Sequence, residues 1–187
     1  GFWVEDLETP RQLAARNQTV DGVPYRAYLV QRRALFPLRA GAIEIDPVEI
    51  AVQAGGGIFG RARRYHRASP AVALDIRELP DGAPAAFRRG NVGDWDLSIE
   101  AEPRQVAVGE PVTLRLVAEG TGNLQHLELP TLDRIEGWKI FEPTLRTESR
   151  VRGGAHGGRK VAEWVLVPER AGDTTIEPLA FAHFDPG

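Results

Sequence analysis

Apolar and polar residues alternate along most of the chain, and a period of two predicts strands. Trp95, Leu97, Ile99 and Ala101 alternate with Asp96, Ser98 and Glu100. After a turn at Val108-Gly109-Glu110-Pro111, Val112, Leu114 and Leu116 alternate with Thr113 and Arg115. The pattern predicts another turn at Gly120-Thr121-Gly122-Asn123, with Leu127 and Leu129 beyond it. Earlier, Val72, Leu74 and Ile76 alternate ahead of Leu79-Pro80-Asp81-Gly82. Only residues 10–17 admit a helical turn. Short strands punctuated by Gly and Pro predict an all-β chain of sandwich type.

The same pattern occurs twice. Ala34-Leu35-Phe36-Pro37-Leu38-Arg39-Ala40-Gly41 aligns with Val165-Leu166-Val167-Pro168-Glu169-Arg170-Ala171-Gly172. Ile45-Asp46-Pro47-Val48 aligns with Ile176-Glu177-Pro178-Leu179 at the same offset, since 168 − 37 and 178 − 47 are both 131. A constant offset that keeps Pro, Arg-Ala-Gly, Ile and Pro is an internal duplication. Each copy predicts a β-hairpin, because the first Pro removes a ladder donor and the Gly after Arg-Ala is free to take positive φ. The apolar parity switches at Pro47 and Pro178, which predicts a bend or bulge there. Gly1-Phe2-Trp3 resembles Gly137-Trp138 more weakly, with a drift of a few residues.

The predicted organisation is two immunoglobulin-like β-sandwich units in tandem, each incomplete. Residues 1–80 form the first, 81–93 a linker rich in Pro, Gly and small residues, and 94–187 the second. The duplication leaves 95–132 without a counterpart in the first copy and 72–79 without one in the second. Each copy is then expected to have an open edge, filled by pairing of the two halves or by a strand-swapped homo-oligomer. Position 1 is not Met, so the sequence reads as a processed or excised piece.

Composition narrows the chemistry. The 187 residues carry a net charge of −3 and no cysteine, which excludes a disulfide framework, a thiol nucleophile and a Cys-based zinc site. Near-neutral charge argues against a nucleic-acid partner, and no run approaches the ~18 apolar residues of a membrane span. Gly55-Gly56-Gly57-Ile58-Phe59-Gly60 satisfies GxGxxG, but the Arg-rich segment after it has no apolar stripe to open a helix. It reads as a loop between strands. The basic cluster that follows, Arg61, Arg63, Arg64 and Arg67 around Tyr65, is the best candidate for a partner contact.

His66, His126, His156 and His183 lack metal-ligand spacing, and Ser69, Ser98 and Ser149 sit in no nucleophile elbow. Asp94 and Asp96 read as turn and outward strand residues rather than calcium ligands. Trp3, Trp95, Trp138 and Trp164 read as packing residues, with a sugar-binding platform as the alternative. No catalytic residue, cofactor-binding residue or metal ligand is expected, and no cofactor.

The order of motifs resembles the BatD oxygen-tolerance proteins. It runs from Gly1-Phe2-Trp3-Val4-Glu5 through Gly22-Val23-Pro24-Tyr25, Arg77-Glu78-Leu79-Pro80 and Asn91-Val92-Gly93 to Phe184-Asp185-Pro186. The resemblance implies a membrane-anchored bacterial protein with immunoglobulin-like modules on the periplasmic side, linked to aerotolerance or envelope stress. It implies partners among von Willebrand factor A-domain envelope proteins and MoxR-type ATPases, and no enzymatic activity. A loop carboxylate such as Asp133, Glu136 or Asp173 could complete such a partner's metal site. The leading expectation is therefore a non-catalytic protein-interaction scaffold, and the alternative is a carbohydrate-binding module.

Overall fold

The computed structural model describes residues 1–54 and 63–187. Among them the secondary structure is all β, in fourteen strands. Those of the N-terminal half are β1 (Phe2–Glu8), β2 (Ala15–Val20), β3 (Val23–Tyr28), β4 (Arg32–Pro37), β5 (Gly41–Ile45), β6 (Glu49–Ala54), β7 (Arg63–Ala68) and β8 (Val72–Ile76). Then come β9 (Phe87–Glu102), β10 (Val112–Gly122), β11 (Trp138–Ile140), β12 (Thr144–Arg152), β13 (Ala155–Pro168) and β14 (Ala182–Phe184). No helical turn forms at residues 10–17, where β2 already begins at Ala15. Two compact units result, one of Gly1–Trp3 with Leu35–Asp81, the other of Val4–Ala34 with Gly82–Gly187.

The N-terminal strands pair two by two, as β1–β4, β2–β3, β5–β8 and β6–β7. The β2–β3 turn is Asp21-Gly22 with φ of 49° and 78°, the doubly positive geometry that suits a two-residue hairpin. The C-terminal strands form one sheet in the order β11-β13-β10-β9-β14, with β12 also on β13. Its centre is apolar because alternate residues face inward: Val112, Leu114, Leu116 on β10 meet Leu166, Trp164, Ala162 on β13 in register. Leu129, Leu132, Ile135, Ile176 and Leu179 cover this face as the opposing layer. Burying each such Leu contributes roughly 1.5–3 kcal/mol. The arrangement is consistent with an immunoglobulin-like sandwich.

The duplication is structural as well as sequential. β1 pairs β4 as β11 pairs β13, and the β2–β3 hairpin corresponds to β12–β13. The weak match at the glycines is also real in three dimensions. Leu38 N–H donates to the Gly1 carbonyl at 3.1 Å, and Glu169 N–H donates to the Gly137 carbonyl at 2.8 Å. The continuous β13 corresponds to β3 and β4 together, interrupted at residues 29–31.

Local expectations need correction at several points. The Pro-x-Arg-Ala-Gly segment does not close a hairpin. β4 pairs β1 while β5 pairs β8, and residues 172–176 lie in no strand. Pro168 ends β13, and the chain then crosses so that Ile176 and Leu179 pack on the core as part of the other layer. The parity switch at Pro47 is the gap between β5 and β6, which have different partners. Finally, Gly120-Thr121-Gly122 is not a turn but the end of β10, and the chain reverses at residues 123–126. There the strands approach too closely for side chains: a Cβ on Gly120 would lie 1.9 Å from the Asp94 carbonyl oxygen. Residues 87–93, within the segment expected to be a linker, are the first part of β9.

Candidate functional site

The basic cluster lies on β7. All six of its residues are exposed, and it pairs antiparallel with β6, placing Val52 opposite Tyr65 and Ile50 opposite Arg67. Alternation puts Arg63, Tyr65 and Arg67 on one face of this ribbon and Arg64 on the other. The Arg67 guanidinium sits 5.8 Å from the centre of the Tyr65 ring, within cation–π range, and its Nη1 donates to the His66 carbonyl at 2.9 Å. One face therefore presents an aromatic ring between two cations over the aliphatic Ile50 and Val52. Such a face suits a peptide that carries both carboxylates and an apolar residue. Arg61 and the GxGxxG segment lie outside the described residues.

The histidines are separated by their partners. His66 stands on β7, the His126 Nδ1 is 2.7 Å from Asn123 Nδ2, and His156 Nδ1 is 3.2 Å from the Gly122 carbonyl. The His183 ring lies 5.9 Å from that of Phe181. Among the described residues no three His, Cys, Asp or Glu side chains gather as a metal site would need. Asp94 and Asp96 point from the outer face of β9, opposite Thr121 and Glu119 on β10.

The tryptophans divide by place in the fold. Trp95 and Trp164 are buried in the core, and Trp138 packs beside it with its indole N–H donating to Thr174 Oγ1 at 2.9 Å. Trp3 remains 41% exposed, so a stacking platform for sugar would rest on it. Of the loop carboxylates, Glu136 is engaged: Arg170 Nη2 donates to its Oε1 at 2.7 Å. That hydrogen bond and the guanidinium charge hold the Glu136 carboxyl below its ordinary value. A shallow cleft on the outer face is bounded by Glu100, Glu102, Arg104, Thr113, Arg115 and Glu163. Arg115 closes on Glu163 through two donors at 3.1 Å.

Periodicity did not reveal Asn91. Its side chain is 1% exposed, takes the Glu128 N–H on Oδ1 at 2.7 Å, and donates from Nδ2 to the Glu128 and Ala182 carbonyls. It ties β9 to β14 and to the 124–129 segment. Lys160 does similar work on the inner face of β13, with Nζ 2.6 Å from the Leu127 carbonyl. Burial pulls its pKa below the ordinary value, and the charge of Glu128 partly restores it. The signal for both was a polar residue at an inward strand position.

Fold and surface together define an immunoglobulin-like sandwich whose polar groups brace strands. Residues 99–185 match the family model described as the BatD DUF11 like domain, so this part of the chain is similar to that family. Nothing matches among curated proteins or among solved structures. No helix among the described residues is long and apolar enough to cross a membrane.

Proposed function

We propose that the chain is a non-catalytic interaction module of an aerotolerance-related envelope protein. The observation that carries this reading is the BatD DUF11-like match over 99–185, the stretch that holds the packed core. In this reading the parent protein is anchored in the inner membrane and the module faces the periplasm. Its partners are von Willebrand factor A-domain proteins of the envelope, working with a MoxR-type ATPase. The braced sheet suits a scaffold, because hydrogen bonds such as those of Asn91 and Lys160 hold strands rather than aim groups at a substrate.

The contact we assign is the β7 face, with Tyr65 as anchor and Arg63 and Arg67 supplying charge. The test is direct binding of a purified von Willebrand factor A-domain envelope protein from the same cell. Arg63→Glu with Arg67→Glu should weaken binding at least tenfold and reduce its salt dependence. Unchanged affinity would remove β7 from the contact, and absence of binding by the unaltered chain would remove the partner class. A second arm adds a chelator. If Asp133 or Asp173 completes the partner's metal site, chelation abolishes binding; unchanged binding rules that route out.

A further inference from the structure

We propose that β12 is a self-complementary edge through which two copies of this chain join their sheets about a two-fold axis. β12 lies mid-chain between β11 and β13, and among the described residues it pairs with β13 alone. Residues 144–151 are all exposed. The main-chain groups that face away from β13 therefore form an open edge.

The register with β13 sorts the side chains of this edge. Arg146, Glu148 and Arg150 stand opposite Val161, Arg159 and Gly157, on the outer face of the sheet. Leu145, Thr147 and Ser149 stand opposite Ala162, Lys160 and Gly158, on the core side, and Val151 follows in the same alternation. Leu145 is 60% exposed and Val151 47%, and neither belongs to the core cluster.

Charges on an edge strand ordinarily discourage pairing, because like charges set directly opposite repel. Most registers of β12 against a second β12 have that defect. With Glu148 on Glu148 of the second copy, Arg146 also meets Arg150. With Arg146 on Arg146, two guanidinium groups confront each other at the axis. With Ser149 on Ser149, Arg146 falls opposite position 152, another arginine in the sequence. With Thr147 on Thr147, however, the strand matches itself. Arg146 then faces Glu148 twice, Arg150 faces Thr144 twice, and Leu145 lies diagonal to Val151 twice. The two strands are identical, so their outward main-chain groups share one parity and donors meet acceptors in this register. Such a two-fold contact closes on itself and does not propagate into fibres.

The corresponding edge of the first copy lacks the pattern. β2 is the counterpart of β12, with the Val20–Val23 pair at its turn matching Arg152–Ala155. Ala14, Arg16 and Gln18 then stand where β12 has Arg146, Glu148 and Arg150. One charge gives no complementary pairing, which restricts the contact to β12.

The interface does not use β7, so it and the partner contact assigned there stand or fall separately. Sedimentation equilibrium of the full chain should show a monomer–dimer equilibrium. Arg146→Glu and Glu148→Arg should each weaken dimerisation at least tenfold, because each sets like charges opposite at two places. An equimolar mixture of the two variants should regain the unaltered affinity as a heterodimer, since each chain then meets opposite charge at both positions. The mixture is also the control for folding, because two misfolded chains would not restore each other. Hydrogen exchange in the unaltered dimer should slow in β12 and stay unchanged in β2. A chain that stays monomeric at every concentration overturns the proposal. So does a dimer that both single variants leave intact, one that the mixture fails to restore, or one protected in β2 instead.

Discussion

The two copies of the repeat share strand endings, glycine conformations and carbonyl contacts, yet only one lies against a core. Among the described residues nothing ahead of Asn91 is buried, whereas β10 and β13 bury Leu114, Leu116, Trp164 and Leu166 almost completely. The difference is in what each copy packs against. The second has β9 and β10 beside β13; among the described residues the first has two-stranded ribbons, which are marginal alone. Local signals therefore place the strands, and non-local neighbours decide whether they are stable.

Hydrogen exchange should show the largest consequence. Amides of β10 and β13 should open only with global unfolding, at roughly 5–15 kcal/mol, and those of β2–β3 and β6–β7 at near zero. Equal protection in both halves would break the comparison. Protection of the ribbons that grows with protein concentration would sharpen it, since missing neighbours would then come from a second chain.

Substitution should separate the copies next. Leu116→Ala empties a fully buried position and should cost about 3–4 kcal/mol in urea unfolding followed by tryptophan fluorescence. Ile45→Ala, in a half-buried position of the first copy, should cost about 1 kcal/mol or less. Between them lies Asn91→Ala, at about 1–3 kcal/mol, because the Glu128 N–H loses its acceptor on the buried Asn91 side chain. That variant should also raise exchange in β14 before the rest of the sheet. If β14 keeps its protection, Asn91 does not brace it.

What could be read in the sequence follows the same division. Alternation located β9 and β10 because one face of each meets a core, and the 131-residue offset exposed the repeat because its turns need Pro and Gly. The pairing of β4 with β1 rather than β5 was hidden, since a Pro-x-Arg-Ala-Gly segment serves a hairpin or a crossing between layers equally well. Gly120 and Gly122 looked like turn residues because close backbone approach requires the same residue type as a positive-φ turn. The basic cluster was visible as composition, but which of its members share a face depended on the register with β6. Asn91 stood inside a recognisable motif, while its partners at Glu128 and Ala182 are distant in sequence.

The smallest effect concerns Glu136 and Arg170, where the loop before β11 meets the chain after β13. Both side chains are well exposed, so the pair should change global stability little, in keeping with surface ion pairs generally. Its signature is in titration. Glu136 has a folded-state pKa lowered by Arg170, so any stabilisation is present above the unfolded carboxylate value and is lost as pH falls through the folded one. The Glu136 carboxyl, followed by NMR, should titrate below the ordinary glutamate value, and Arg170→Ala should return it upward. The first copy offers the control, because Arg39 is the repeat counterpart of Arg170. Arg39→Ala should therefore leave the Glu136 titration untouched. A Glu136 midpoint unmoved by Arg170→Ala would mean that this corner of the second copy is braced by its backbone contact, the Glu169 N–H on the Gly137 carbonyl, and not by the ion pair.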